Sequence, residues 1–323
     1  MSAETPLSWG GKRYHSFNYH LQKTFGTKVF KVSLDAGFTC PNRDGTVGTG
    51  GCIFCSPRGS GDCAGPRELP LAEQFNLGRE RISRKWPRAK YIAYFQAFTN
   101  TYAPVEVLRE KYESVLHLPG VVGVSVGTRP DCLPPPVLDL LEEMHHRTYF
   151  WVELGLQTIH DRTAVLINRG YPYEVFLQAI AELKKRGLRT CVHIILGLPG
   201  ESREDMLATG RELARLRPEG VKIHLLHLIE GTPLVKWYEE GRLRLLEMDE
   251  YVNLVVDILE MLPPETIIHR LTGDSPWDKL VGPLWSRKKF EILNAIEREL
   301  EARNSWQGKK YPEITSIFSG GGS

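Results

Sequence analysis

Three cysteines in one glycine-rich stretch are the residues of this chain whose types and spacing suggest chemistry. Cys40, Cys52 and Cys55 are spaced C-x11-C-x2-C, and Cys63 lies shortly after them. A closed structural zinc site has four ligands, so it would require Cys63 as well. A 4Fe-4S cluster held by three thiolates keeps one iron without a protein ligand, and that iron can bind a small molecule directly. The stretch therefore predicts a metal centre of one of these two kinds.

The composition is typical of a globular protein that does not cross a membrane. Hydrophobic residues make up 41% of the 323 positions, and 41 basic against 39 acidic side chains give a net charge of +2. So balanced a charge does not by itself identify a polyanionic partner. No apolar run approaches the roughly 20 residues that span a bilayer, and the N-terminus lacks a signal-peptide pattern. We expect a cytoplasmic protein, in which clustered cysteines serve metals or catalysis rather than disulfides.

Strand-like apolar runs alternate with amphipathic stretches along most of the chain. The predicted strands are 29–36, 90–98, 121–128, 148–158, 190–198 and 221–229. Six repeated strand and helix units call for a parallel sheet with right-handed crossovers. Because a complete barrel needs eight such units, the expected fold is α/β, a partial (βα)6 TIM-type barrel whose lateral opening would admit a large substrate.

The same pattern predicts how the chain is divided. Residues 1–28 are an N-terminal extension, 29–232 the barrel core, and 233–316 a C-terminal α/β extension that packs against the barrel and contains a short strand at 266–273. The final "SGGGS" belongs to a flexible tail over 317–323. Polar and glycine-rich segments follow the predicted strands, at the ends where α/β folds place their sites.

Several segments resemble one bacterial family of radical S-adenosylmethionine (SAM) enzymes. They include "KVSLDAGFTCPNRDGT", "YFQAFTNTYAPVEVL", "GTRPDCLP", "WVELGLQTIHDRT" and "HRLTGD". The cysteine loop is similar to the cluster loop of these enzymes, with eleven residues rather than three between the first two cysteines. The family is similar in its core to the catalytic subunit of elongator, which acts on the wobble uridine of tRNA.

The resemblance implies a 4Fe-4S cluster, with Cys40, Cys52 and Cys55 as its ligands, and SAM as the second cofactor. It assigns no ligand role to Cys63. Phe54 matches the aromatic position beside the adenine of SAM, or else is an ordinary apolar anchor of the loop. Strand two ends where related enzymes carry a glycine-rich turn that contacts SAM, so Gln96, Thr99 and Asn100 are predicted to make polar contacts there.

Other candidate SAM contacts come from the residues themselves. Glu153 and Gln157 lie four apart on a strand, so both point to one face and suit hydrogen bonds to SAM. The alternative is a buried polar network that braces the barrel. Gly197 follows the fifth predicted strand, where a glycine lets the backbone approach a flat adenine.

The substrate candidates are Arg129, His224, His269 and Arg270, all at or near predicted strand ends. Pairing with Asp131 is the alternative for Arg129, and of His224 and His227 only one is expected to face the cavity. Basic clusters near Trp86, Trp285, Trp306 and Tyr311 would suit phosphates and bases, or are simply solvated helix ends.

The leading functional hypothesis from the resemblance is a radical SAM enzyme that acts on tRNA. The expected step converts a carboxymethylaminomethyl group at C5 of the wobble uridine to aminomethyl, with an electron donor such as flavodoxin or ferredoxin. Two alternatives stay open: radical SAM chemistry on a small metabolite, and a zinc-stabilised binding module that is not an enzyme.

Overall fold

A curved, seven-stranded parallel sheet forms the centre of the molecule in the computed structural model, which describes residues 8–311. Its strands pair in chain order. They are β1 (Val29–Leu34), β2 (Lys90–Phe95), β3 (Val121–Thr128), β4 (Tyr149–Gln157), β5 (Thr190–Leu196), β6 (Gly220–Leu225) and β8 (Ile267–Arg270). A separate antiparallel pair is formed by β7 (Leu228–Ile229) and β9 (Leu280–Gly282). The predicted α/β barrel-type fold is thus confirmed.

The helices connect and cover the strands. They are α1 (Phe17–Phe25), α2 (Leu71–Ser83), α3 (Val105–Glu113), α4 (Pro135–Arg147), α5 (Asp161–Leu166), α6 (Tyr173–Lys185), α7 (Arg203–Leu216), α8 (Pro233–Glu239), α9 (Met248–Met261) and α10 (Lys289–Ala302). Local sequence fixes their ends: α7 begins at Ser202, whose side chain accepts from the Asp205 amide while Asp205 accepts from the Ser202 amide. In α6, Phe176, Ile180 and Leu183 recur at helical spacing and are buried.

The two faces of the sheet have different environments. Outward-facing residues such as Val124, Val152 and Val192 are fully buried in the main hydrophobic core beneath the helices. Inward-facing residues alternate with them along each strand. At the start of the strands, the inward layer is apolar and includes Ile92 and Trp151. The next inward layer is polar, and the cavity described below lies above it.

The seventh strand is a departure from the six-stranded barrel expected from the sequence. Residues 267–270 pair with β6 and extend the barrel sheet, so a segment predicted to be an extension contributes to the barrel itself. The reason is geometric, because β6 would otherwise present an unpaired edge. The division near residue 232 stays a prediction, and the predicted tail at 317–323 lies outside the described residues.

The strand predicted at 221–229 is likewise two elements rather than one. The pairing with β5 ends near Leu225, and Leu228–Ile229 leave the sheet to pair with β9. Side chains beyond Leu225 therefore do not follow the in-and-out alternation of a continuous strand.

The gap between the first and last strands is bridged at its lower end by the N-terminal segment. The amide of Ile268 donates to the His15 carbonyl, at 2.8 Å, and α1 then crosses toward β1. Phe17 stacks on His269 with ring centroids 3.8 Å apart and meets Trp151 edge-on. The lateral opening is thus closed below, and the interior is reached from the strand C-terminal ends. None of the helices within residues 8–311 has the length and apolar character needed to cross a membrane.

Candidate active site

A cavity of about 340 Å³ lies at the C-terminal ends of the strands. The cysteine loop forms one wall, and the ends of β2 to β6 form the floor and back. The segment after β8 closes the remaining side through Asp274, Ser275 and Pro276. The cavity therefore combines a wall formed by the cysteine loop with a wall formed by the ends of β6 and β8.

The cysteine loop is fixed to the segment that follows α5. Asn42 donates from Nδ2 to the Asn168 carbonyl at 2.6 Å, and Asn168 donates from its own Nδ2 to the Gly51 carbonyl at 2.8 Å. Arg43 crosses the loop from within and donates to the carbonyls of Cys55 and Ser56. These contacts hold a long, glycine-rich loop in one shape despite its lack of secondary structure.

Cys40, Cys52 and Cys55 all line the cavity, together with Cys63 at its exposed rim. Burial raises the pKa of the Cys52 thiol to about 12, and the neighbouring Cys55 adds to the shift. Within residues 8–311 no three His, Cys, Asp or Glu side chains converge on a point that one metal ion could occupy.

Five of the seven predicted SAM contacts line this cavity. They are Phe54, Gln96, Thr99, Glu153 and Gln157. Asn100 does not: it is fully buried, and its side chain donates from Nδ2 to the Gly127 carbonyl at 2.9 Å. Gly197 lines a second, larger cavity of about 520 Å³ between the loop after β5 and residues 242–254, which has no cysteine on its wall. Asn100 and Gly197 both lie near strand ends as expected, but neither lines the cavity that contains the cysteines.

Gln157 is held over the end of β4 in an unusual conformation. Its backbone is left-handed, with φ at 61°, and its Oε1 lies 3.0 Å from the Tyr171 hydroxyl. A Cβ atom at position 155 would lie only 2.6 Å from Gln157 Nε2. A side chain at position 155 would therefore displace the Gln157 amide from its present position.

Glu153 lies on the cavity floor with its carboxylate fully engaged. Lys31 and Lys222 donate to its two oxygens, Ser125 donates at 2.6 Å, and His193 donates from Nε2 at 2.8 Å. Burial alone would raise the pKa of Glu153, but Lys222 and Lys31 outweigh it and hold the pKa well below its usual range. This is the buried polar network that the sequence left as the alternative, here with two cations around one carboxylate.

Lys31, Lys222 and His193 were not selected from the sequence. A signal was present, because each is a polar side chain at an inward position of a strand whose neighbours are apolar. Burial and the nearby Lys31 lower the pKa of Lys222 to about 8, although Glu153 opposes the shift. Desolvation also lowers the pKa of His193 to about 4, so its ring is neutral near pH 7.

A pair of arginines supports the wall next to Gln157. Arg129 lines the cavity but is paired with Asp131 at 2.6 Å. Burial alone would lower the pKa of Arg129, but the Asp131 carboxylate raises it. Arg169, which sequence reasoning missed, is fully buried and donates to the carbonyls of Leu156 and Thr158, both at 2.6 Å. It therefore satisfies the backbone where β4 ends.

The remaining substrate candidates separate into two groups. His224 and Arg270 line the cavity, and so does His227, because the chain has left the strand by that point. His269 does not line it, since its ring is packed between Phe17 and Trp151 in the layer below. The expectation that only one of His224 and His227 faces the cavity was wrong, because it assumed a continuous strand.

The comparisons with known proteins agree with this arrangement. The family described as the radical SAM superfamily matches residues 44–213, and the Radical_SAM C-terminal domain matches residues 218–302. The chain is 58% identical to the protein YtqA of Bacillus subtilis (strain 168) over 309 residues, 96% of each chain. It is 33% identical to tRNA uridine(34) acetyltransferase of Dehalococcoides mccartyi (strain CBDB1) over 187 residues, 57% of this chain and 39% of that protein.

A solved structure has a similar fold. The archaeal Methanocaldococcus infernus Elp3 with an N-terminal deletion superposes with a TM-score of 0.65 at 18% identity, covering 86% of this chain and 64% of that chain. At this identity the similarity concerns the fold alone.

Proposed function

This chain belongs to the radical SAM superfamily, and from that premise we propose that it modifies the C5 side chain of the wobble uridine in tRNA. The proposed step converts carboxymethylaminomethyl to aminomethyl. SAM would accept a hydride equivalent from the methylene beside the carboxylate, giving methionine and 5′-deoxyadenosine, and water would break the C–N bond of the resulting imine and release the two-carbon unit as glyoxylate. The observation that carries the choice of substrate is the similarity, over more than half of this chain, to a relative named for uridine 34 of tRNA.

Enzymes of this superfamily use a 4Fe-4S cluster and SAM, and the cysteine end of the cavity fits them. Cys40, Cys52 and Cys55 would hold the cluster, because they line one wall and leave open space beside it. When bound, the cluster supplies the electron that cleaves SAM and so generates the 5′-deoxyadenosyl radical. A flavodoxin or ferredoxin is the proposed source of that electron.

The side chains of this protein would bind, orient and shield the reactants. Phe54, Gln96, Thr99 and Gln157 are the proposed SAM contacts, since they line the cavity near the cysteines. Glu153 is proposed to act through the lysines that it holds rather than on SAM, because four donors already occupy its oxygens. The apolar layer and α1 beneath this network exclude water from below.

The mouth of the cavity has features that favour a single-stranded nucleic acid. Trp277, one residue beyond the cavity wall, is 70% exposed, which is unusual for tryptophan. Its backbone is nevertheless fixed, because Arg287 donates to its carbonyl at 2.9 Å. The exposed Lys279 and Lys288 lie in the same segment. Exposed aromatic rings flanked by cations bind bases and phosphates.

Two aromatic residues predicted from the sequence for this role are unsuitable. Trp306 is buried, and Trp285 is packed inward with its Nε1 donating to the Leu246 carbonyl. The basic segment at 287–289 does lie near the mouth, since Lys289 pairs with Asp274, and the exposed rings near it in sequence are Phe290 and Trp277.

The test is an anaerobic reaction of the reconstituted enzyme with SAM, dithionite and tRNA that carries carboxymethylaminomethyluridine at position 34. We expect aminomethyluridine to appear together with 5′-deoxyadenosine, and neither to form with a Cys55→Ala variant. Unchanged nucleosides by mass spectrometry, with SAM cleavage intact, would overturn the tRNA assignment.

A further inference from the structure

Two histidines in the cavity wall formed by the ends of β6 and β8 each have an unpartnered ring nitrogen. The Nε2 atoms of His224 and His227 are both shielded from solvent and have no hydrogen-bond partner among residues 8–311. Buried polar atoms are nearly always paired, so each such atom in a cavity wall calls for an explanation. Both residues line the cavity, so a ligand group that turns either ring toward it would provide the missing partner.

The two rings are neutral near pH 7. Burial lowers the pKa of His227 to about 4 and that of His224 well below its ordinary value. A neutral imidazole has one N–H, so each ring can donate one hydrogen bond into the cavity. The rings are adjacent, because a Cβ atom at Gly273 would lie 2.7 Å from His227 and 3.7 Å from His224.

Arg270 adds a cation to the same end. It is the last residue of β8, lines the cavity, and keeps 29% of its side chain exposed. Its ion pair is with Asp274, at 2.9 Å, and Lys289 shares that carboxylate at 2.7 Å. A guanidinium has five N–H donors in a planar fork that matches a carboxylate, so this one pair leaves donors for a second anion.

The surrounding charges favour an anion. On the floor below, Lys31 and Lys222 are opposed by the single carboxylate of Glu153. The other rim carboxylate, Asp62, accepts from Ser56 on the cysteine side, at 2.6 Å. The end formed by β6 and β8 therefore combines net positive charge with unsatisfied neutral donors.

We infer that Arg270, His224 and His227 form a carboxylate-binding subsite that recognises the acidic end of the substrate side chain. This inference rests on the proposed function, in which the uridine carries a carboxymethyl group. With the carboxylate on Arg270, the remainder of the side chain lies in the same cavity as Cys40, Cys52 and Cys55. The subsite would thus select for the acidic side chain and set its orientation.

The test uses two synthetic anticodon stem-loops that differ in one group. One carries carboxymethylaminomethyluridine and the other its uncharged amide, carbamoylmethylaminomethyluridine. Their dissociation constants are measured anaerobically by fluorescence anisotropy with the cluster-loaded enzyme and SAM. Because hydrogen bonds to charged groups contribute about 1.5–3 kcal/mol, we expect the wild type to prefer the acid by about tenfold or more.

The variants separate recognition from folding. Arg270→Gln should bring the preference close to one, Arg270→Lys should keep part of it, and His227→Gln should reduce it. Arg217→Gln is the matched control, since Arg217 forms an exposed ion pair with Glu265 away from the cavity. Thermal unfolding identifies any of the three cavity variants that fails to fold. The preference for acid over amide in the remaining two then tests the subsite.

The outcomes distinguish the two proposals. If the wild type converts the acidic RNA but binds acid and amide equally, the subsite is overturned while the proposed function stands. A folded Arg270→Gln variant that still prefers the acidic stem-loop as strongly as the wild type does would also overturn the subsite. If the wild type neither binds nor converts either RNA, the proposed function fails and the inference fails with it.

Discussion

Lys222 on β6 and Glu153 on β4 form an ion pair across the barrel interior, over the intervening strand β5. Both side chains are almost completely buried, with exposures of 5% and 0%. Lys31 on β1 donates to the same carboxylate, and His193 on β5 donates to it as well. With Ser125 on β3 as a further donor, one carboxylate connects five strands of the sheet.

Removing that charge should destabilise the fold strongly. Glu153→Gln leaves Lys31 and Lys222 buried without a counter-charge, which typically costs about 3–5 kcal/mol. The measurement is the free energy of unfolding from urea titration under anaerobic conditions. Glu265→Gln is the control, because the Arg217–Glu265 pair is exposed and should contribute less than about 1 kcal/mol. A loss below that value for Glu153→Gln would contradict the role of the network.

Three cysteines of the loop should behave as cluster ligands, whereas Cys63 should not. Single Ala variants of Cys40, Cys52 and Cys55 should lose most of the about four irons and four sulfides expected per chain. Cys63→Ala should keep them, since Cys63 lies at the exposed rim. Iron and sulfide analysis with electron paramagnetic resonance of the dithionite-reduced protein provides the readout. Equal loss in Cys63→Ala would indicate a site with four thiolates instead.

Buried histidines should make stability depend on pH below neutrality. The pKa of His193 and of His227 is about 4 in the folded protein, against an ordinary value of 6.5, mainly because of desolvation. Below pH 6.5 the unfolded chain binds protons on these rings while the folded protein does not. The free energy of unfolding therefore falls between pH 6.5 and 4, by up to about 1.4 kcal/mol per pH unit and ring.

Urea titrations across that pH range test this dependence. His227→Gln should reduce the slope of the free energy of unfolding against pH, because the unfolded variant binds about one proton fewer than the unfolded wild type. His117→Gln should not alter it, because His117 is exposed. A slope that is the same in wild type and His227→Gln would contradict the assignment.

Trp277 should contribute to RNA affinity by stacking. Trp277→Ala is expected to weaken binding of an anticodon stem-loop by about 5- to 150-fold, corresponding to about 1–3 kcal/mol for one stacked base. Trp277→Phe should retain most of the affinity, and Tyr238→Ala, which also removes an exposed ring, should leave it unchanged. A changed oligomeric state in Trp277→Ala with unchanged RNA affinity would instead mark a protein contact.

The alternation of apolar strands and amphipathic helices was sufficient to predict the barrel class, because period and spacing depend on local sequence. The cavity position of Cys40, Cys52 and Cys55 followed from their placement after β1. The seventh strand was harder to place, since four residues around Ile268 reveal their partner only through the edge of β6.

Side-chain direction was the least predictable property. Asn100 and Gly197 lie at strand ends, yet local turns direct one into the core and the other to a different cavity. The role of Glu153 depended on Lys31 and Lys222, which come from distant parts of the chain and meet only in the folded barrel.

The position of Arg270 also has a consequence for the order of synthesis. The cysteine loop leaves the ribosome early, whereas β8 emerges only after more than half of the chain has followed. A nascent chain that ends before β8 already contains every proposed cluster ligand but lacks Arg270 of the proposed carboxylate subsite. It also lacks Ile292, Ile296 and Leu300 of α10, which are fully buried in the main hydrophobic core. The proposed cluster ligands are therefore synthesised well before the core that supports them is complete.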